Sequence, residues 1–199
     1  MRIFAVDTSS ELTSLALVDS GVVIGQAEHH NARGHVEAIG ALFKQIPQID
    51  VTEPDFVMPD LIACGVGPGP FTGLRVGIAF AQSLSMAWGI PISGICSLDA
   101  AARAVRAARP DLGECVVALN ARRGEYYWAQ YSSEGLRIGA PQVSTKEDVL
   151  AMSGEVVVDV LPHASDLAQC VGSSKILGLA PLYLRAPDAQ PQSQPDAPA

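Results

Sequence analysis

Asp7-Thr8-Ser9-Ser10 sets a carboxylate and three hydroxyls directly behind an apolar run, Ile3 to Val6. At a tight turn, such a group can hold a hydrated metal ion and reach a phosphate. It can equally close an Asx or Ser/Thr turn that fixes a hairpin. A second candidate is Gly65-Val66-Gly67-Pro68-Gly69-Pro70-Phe71-Thr72-Gly73-Leu74-Arg75. A glycine-rich turn that feeds a helix is where anions bind, because free N–H groups and the helix dipole point the same way. Here Pro68 and Pro70 donate nothing, and Gly73-Leu74-Arg75 stands where a phosphate-binding loop wants Gly-Lys-Ser/Thr. The turn reads better as a stiff strand-to-helix corner. Asp7, Thr8, Ser9, Gly67, Gly69 and Thr72 are the residues of any vestigial nucleotide site.

The other polar clusters suggest less chemistry. His29, His30, His35 and Glu37 are close in sequence, but none of the histidines stand at the i, i+4 spacing of a helical metal pair. No metal site is expected, and His163 reads as structural. Asn120-Ala121-Arg122-Arg123-Gly124-Glu125-Tyr126-Tyr127 is either a hairpin that recognises a phosphate or carboxylate, or a plain hairpin with tyrosines covering a sheet. No local signature of a Ser/His/Asp or Cys/His set occurs, so no catalytic residue is assigned. Cys64, Cys96, Cys115 and Cys170 lie apart among apolar or small residues and read as buried thiols of a reducing compartment.

The elements that position these groups follow from periodicity and breakers. Strand, turn, strand, turn, strand opens the chain through Val22-Val23-Ile24-Gly25. Residues 34–46 form a helix with Val36, Ile39, Phe43 and Ile46 on one stripe, stopped by Pro47. Leu61 to Val66 suits a buried parallel strand. A second helix runs from about Thr72 to Trp88, a strand from Ile90 to Ile95, and a third helix from Leu98 to Ala108 with Ser97 as its cap. Strands follow at 115–119, 125–131 and 156–160. A short helix has Ser144 as N-cap and Glu147 completing a capping box, and His163 to Cys170 forms another. From Ala186 onward the chain has four prolines and no large apolar side chain, so it cannot offset its ordering entropy. The order implies an α/β protein with an N-terminal lobe at 1–100, a C-terminal lobe at 101–185 and a disordered tail at 186–199.

Composition narrows the function. The chain has 199 residues, 48% hydrophobic and 17% charged, with net charge −8. An acidic surface repels phosphates, so tRNA or other nucleic acid is not gripped directly. Val76 to Leu98 carries no charge and is long enough to cross a bilayer. Gly89-Ile90-Pro91 cuts it, which makes it a helix and a strand packed inside a cytoplasmic protein. That helix is apolar most of the way round. Gly73, Gly77 and Ala81 recur every four residues, forming a flat strip for close approach of another helix. The strip belongs either to the core or to a protein interface. Ala38, Gly40, Ala41 and Leu42 lie off the main stripe of the first helix and extend the same surface.

Several segments together resemble the TsaB (YeaZ) family. Ile3 to Ser9 matches its opening strand and turn, and His35-Val36-Glu37 its first helix start. Gly67 to Gly77 aligns without gaps with its hallmark Gly-Pro-Gly-Ser-Phe-Thr-Gly-Leu-Arg segment. Asn120 to Tyr127 matches an Asp-Ala-Arg-x-Gly-Glu-x-Tyr motif, and Pro181 to Arg185 a closing Pro-x-Tyr-Leu-Arg. Pro70 replaces the family's serine and Asn120 its aspartate, and the second lobe is shorter than usual.

The resemblance implies an actin/Hsp70/hexokinase-like (ribonuclease H-like) α/β fold with two related lobes. It implies a non-catalytic partner of a TsaD-like threonylcarbamoyltransferase, assisted by a TsaE-like ATPase, acting on the adenosine beside the tRNA anticodon. ATP and metal are expected on those partners, and self-association through the same surface is expected when the chain is alone. The interface expected is His35, Ala38, Ala41, Leu42, Gly73, Leu74, Gly77 and Ala81. Gly77→Arg is therefore expected to abolish pairing and spare the fold. The rival readings are an ATP/Mg-dependent kinase-like enzyme using Asp7 and the 67–73 turn, and a glycoprotease-like peptidase.

Overall fold

The computed structural model describes residues 1–31 and 34–185. The tail expected at 186–199 lies outside the described residues. Two sheets organise the described residues. The first contains β1 (Arg2–Asp7), β2 (Leu12–Asp19), β3 (Val22–His30), β4 (Leu61–Gly65) and β5 (Ile92–Ile95), in the order β3-β2-β1-β4-β5. β1 pairs antiparallel with β2 and parallel with β4. The second contains β6 (Cys115–Asn120), β7 (Glu125–Tyr131), β8 (Arg137–Thr145) and β9 (Glu155–Val157), in the order β8-β7-β6-β9. It repeats the first four positions: two antiparallel pairings, then one parallel. This is the actin/Hsp70/hexokinase-like arrangement of two related lobes, the second one strand short.

Alternation along β1 assigns the layers, since successive side chains point to opposite faces. Phe4 and Val6 face α1 (His35–Phe43) and α2 (Phe71–Trp88) in one core. Ile3 and Ala5 face α5 (Ala164–Gln169) and Ala100 of α3 (Ser97–Ala108) in another. Leu98, Ala101, Ala102 and Val105, also on α3, pack on the second sheet, so α3 lies between the sheets. α2 is capped by Pro70 at its start and by Gly89 at its end, whose φ of 66° is a left-handed conformation suited to glycine. Among the described residues, no helix is long and apolar enough to cross a membrane.

Several sequence expectations need correction. β8 has no counterpart among the strands expected from sequence: it is a largely exposed edge strand containing Gly139 and Pro141, and edge strands tolerate both. Ser97 does not cap α3, whose N-cap is Cys96 without a side-chain bond. Nor does Ser144 cap α4 (Lys146–Leu150). Thr145 does, accepting from the Asp148 amide at 3.1 Å, while Ser144 Oγ accepts from Trp128 Nε1. The division at residue 100 also fails for α5. That helix follows the second sheet in sequence but packs on β1 and β2 of the first. Leu177 bridges to Gly94 on β5, and the Leu182 amide donates to Val66 O.

Candidate functional site

Asp7 ends β1, the central strand of the first sheet, beside the parallel strand β4. The crevice beyond such strand ends is where open α/β sheets bind ligands. In this chain the crevice is filled by its own groups. Asp7 Oδ1 accepts from Ser9 N at 2.8 Å and Ser9 Oγ at 2.7 Å, and Oδ2 accepts from Ser97 Oγ at 2.6 Å. Asp7 and Thr8 are 0% exposed and Ser9 3%. A Cβ at Gly65 would fall on the Asp7 carboxylate, and one at Gly69 on Ser9 O. Burial pushes the Asp7 carboxyl up, against hydrogen bonds from Ser97 and Ser9 that pull it down.

Thr8 explains the small-residue strip. Its Oγ1 donates to Gly73 O at 2.7 Å and accepts from Gly77 N at 3.1 Å. Thr8 O lies 2.6 Å from where a Cβ at Gly73 would sit, and a Cβ at Gly77 would collide with Thr8 Oγ1. The close approach that the glycines allow is therefore to the chain's own turn. This corrects the interface residues expected from sequence. Gly73, Leu74, Gly77, Ala81, His35 and Leu42 are all buried within the chain; Ala38 is half-buried and Ala41 exposed. Of the nucleotide-site candidates, Gly67 and Gly69 are buried with Asp7, Thr8 and Ser9, and only Thr72 is exposed. A kinase-like use of Asp7 would require breaking three internal hydrogen bonds and admitting solvent. Among the described residues, no group of three or more His, Cys, Asp or Glu could hold a metal ion.

The histidines divide as their surroundings dictate. His35 Nδ1 is 2.7 Å from Thr13 Oγ1, and burial lowers its pKa, with the Arg122 charge acting the same way. His163 Nδ1 is 2.7 Å from Glu28 Oε1, to which Ser14 Oγ also donates at 2.8 Å. The hydrogen bond that the His163 ring donates to the Glu28 carboxylate raises the His163 pKa and lowers the Glu28 pKa. This pair ties β3 to the start of α5. The Ala164 amide adds a bond to Ser14 Oγ at 2.8 Å.

Three of the quoted motifs converge. Tyr183 stacks on Phe71 with centroids 4.9 Å apart and accepts from Arg75 Nε at 3.1 Å. Arg75 lies 3.8 Å over the Phe71 ring. Arg185 pairs with Glu125. Asn120 Oδ1 accepts from the Arg122 amide at 2.9 Å, a bond that an aspartate would also make. The substitution thus removes a charge and keeps the turn. Arg122, Arg123 and Gly124 all have positive φ. Between this turn and Ser10-Glu11 lies a cavity of about 240 Å³, walled by Asp159 and Val160.

The exposed side of the first core belongs to α1 and α2. They run side by side in the same direction, with His35 against Gly73 and Phe43 against Phe80, whose rings are 5.6 Å apart. Val36 is 63% exposed and Met86 85%. Gly40, Ala41, Ala79 and Ser83 are exposed as well. Beside α1, Ala38, Ala41 and Leu42 floor a groove of about 480 Å³ rimmed by His29, Glu37 and Gln45.

Comparison with known proteins gives a consistent result. A family model described as "TsaD: tRNA N6-adenosine threonylcarbamoyltransferase" matches residues 22–172. An uncharacterized protein of Mycobacterium tuberculosis (strain H37Rv) is 34% identical over 208 residues, covering 95% of this chain and 94% of that protein. The Escherichia coli K12 protein named "tRNA threonylcarbamoyladenosine biosynthesis protein TsaB" is 34% identical over 136 residues, covering 67% of this chain and 56% of that protein. A crystal structure of YeaZ from Pseudomonas aeruginosa matches with TM-score 0.69 and 25% identity, over 86% of this chain and 91% of that one. A second, described as an uncharacterized protein with similarity to peptidase YEAZ from the same organism, gives TM-score 0.74 at 24% identity over 92% and 99%. The last likeness is one of fold.

Proposed function

The chain belongs to the TsaB/YeaZ family, and we propose that within it the chain is a non-catalytic subunit supporting a TsaD-like transferase in threonylcarbamoyladenosine formation on tRNA. One observation carries the reading. The carboxylate best placed for nucleotide chemistry, Asp7, is sealed and hydrogen-bonded by its own chain, while the paired helices α1 and α2 expose apolar side chains. A catalytic carboxylate must reach substrate or metal, whereas a positioning one need not. The burial of Thr8 and Gly77 makes the glycine turn a rigid base for α2 and, through it, for a docking surface. We place that surface on Val36, Gly40, Ala41, Ala79, Ser83 and Met86. The net charge of −8 fits contact with tRNA only through the complex, in the cytoplasm. A TsaE-like ATPase completes the assembly, and a second copy occupies the same face when the partner is absent.

The test is co-expression with the cognate TsaD-like protein, followed by size-exclusion chromatography. Wild type is expected to co-elute. Met86→Glu and Ala79→Arg are expected to elute alone with stability unchanged to within about 0.5 kcal/mol, as for exposed positions. Full co-elution of both variants, or tight ATP–Mg²⁺ binding by the isolated chain in calorimetry, overturns the reading.

A further inference from the structure

A cavity of about 780 Å³ lies between α3, the β7–β8 hairpin and residues 170–182, away from both the Asp7 turn and the α1–α2 face. Its volume falls within the range of small-molecule sites, roughly 300–1,000 Å³. Its chemistry is out of keeping with the rest of the molecule. Arg103, Arg106, Arg137 and Lys175 line it against Asp99 and Glu134, leaving a local excess of positive charge in a chain whose net charge is −8.

The cations come from separate elements and are held differently. On α3, Asp99, Arg103 and Arg106 follow at i, i+4 and i+7, so one stripe of the helix faces the cavity. Arg106 is structural, donating to Leu112 O at 2.6 Å, Gly113 O at 2.9 Å and Ser132 O. Arg137 is fixed in orientation by Asp99 Oδ1 at 2.8 Å and Gly139 O at 3.1 Å, in a pair with side chains only 12% and 5% exposed. Arg103 is braced by Gln169 and by Asp166 at 3.9 Å. Lys175 is exposed and makes no ion pair among the described residues. Leu177 and Leu182 supply an apolar wall.

We propose that this cavity binds a small organic phosphate, its phosphate group between Arg103, Arg137 and Lys175 and its apolar part on Leu177 and Leu182. Two guanidinium groups and an ammonium from three elements match the several oxygens of a phosphate dianion better than a single carboxylate. Guanidinium groups already held by Asp99 and Gln169 lose little further freedom on binding, which favours a preformed site.

The experiment is isothermal calorimetry on the full chain with adenosine monophosphate as probe, and adenosine and inorganic phosphate as comparators. Adenosine monophosphate is expected to bind below about 1 mM, adenosine not measurably, and inorganic phosphate at least tenfold more weakly than the nucleotide. Arg103→Glu and Lys175→Glu change exposed side chains and should each weaken the nucleotide about tenfold or more, while the melting temperature holds to within about 2 °C. No saturation by the nucleotide at about 1 mM, or affinities within about twofold in both variants, overturns the assignment. Inorganic phosphate binding as tightly as the nucleotide overturns it too, because the leucine wall would then contribute nothing.

Discussion

The contact between Thr8 and Gly77 allows a quantitative test of how the first lobe is locked. Thr8→Ala removes an oxygen that donates to Gly73 O at 2.7 Å and accepts from Gly77 N at 3.1 Å, both wholly buried. Losing two such bonds and the methyl contacts should cost about 2–3 kcal/mol. Gly77→Ala alone gains about 1 kcal/mol of helix propensity. Its Cβ, however, arrives closer to Thr8 Oγ1 than the 3.0 Å that real Cβ contacts respect. Overpacking of this kind costs about 1–3 kcal/mol. In the double variant the collision disappears and the propensity gain remains. Thr8→Ala/Gly77→Ala should therefore be no less stable than Thr8→Ala, with a coupling of at least about 1 kcal/mol. Urea unfolding followed by tryptophan fluorescence, run as a double-mutant cycle, measures it. Single effects that add to within about 0.5 kcal/mol would refute the reasoning. The same geometry reverses the expectation for Gly77→Arg: the side chain has nowhere to go, and the variant should fail to fold.

Other outcomes follow from the titrating and buried groups. The Glu28–His163 pair contributes fully below the usual histidine value of 6.5 and fades as pH climbs through the raised His163 pKa. On the acid side it is complete above the usual glutamate value of 4.5 and is lost as pH falls through the lowered Glu28 pKa. The stability gap between wild type and Glu28→Gln should thus be widest between those two values and shrink in alkaline buffer; a gap independent of pH contradicts the pairing. Burial pushes the Cys96 and Cys170 thiols up to about 12, so a disulfide reagent at neutral pH should titrate them only as denaturant unfolds the chain. Ser97→Ala strips Asp7 Oδ2 of a 2.6 Å donor and should lower stability by about 1–3 kcal/mol. Unchanged urea midpoints would show that this bond is unimportant.

Much of the architecture was legible because it rests on local signals. The glycine-rich corner at 65–70, the breaker Gly89-Ile90-Pro91 and the apolar run Ile3 to Val6 closed by Asp7 each act through the backbone nearby. What escaped reading depends on contacts far apart in sequence. Ser97 sits before an apolar helix and looks like a cap, yet its hydroxyl is used by Asp7, ninety positions earlier. Periodicity correctly marks Gly73, Gly77 and Ala81 as a surface of close approach, but it cannot say whether the approaching group is Thr8 or another protein. β8 carries no dense apolar run because it is an edge strand with much of its length in water. The Arg103–Arg137–Lys175 cluster was invisible because its members come from a helix, a hairpin and the closing segment.

The return of α5 and residues 177–182 to the first sheet bears on how the chain matures during synthesis. α5 covers the Ile3–Ala5 face of β1, Leu177 extends the edge at Gly94, and the Leu182 amide reaches Val66 O. A ribosome that has delivered every strand of the first sheet still withholds these pieces, so the nascent amino-terminal half emerges with one greasy side bare. Folding must wait for the carboxy-terminal segment or rely on a holdase until it arrives. Ribosome-stalled chains ending near residue 160 should accordingly be protease-sensitive throughout, whereas those that have released residue 182 should resist as a single unit.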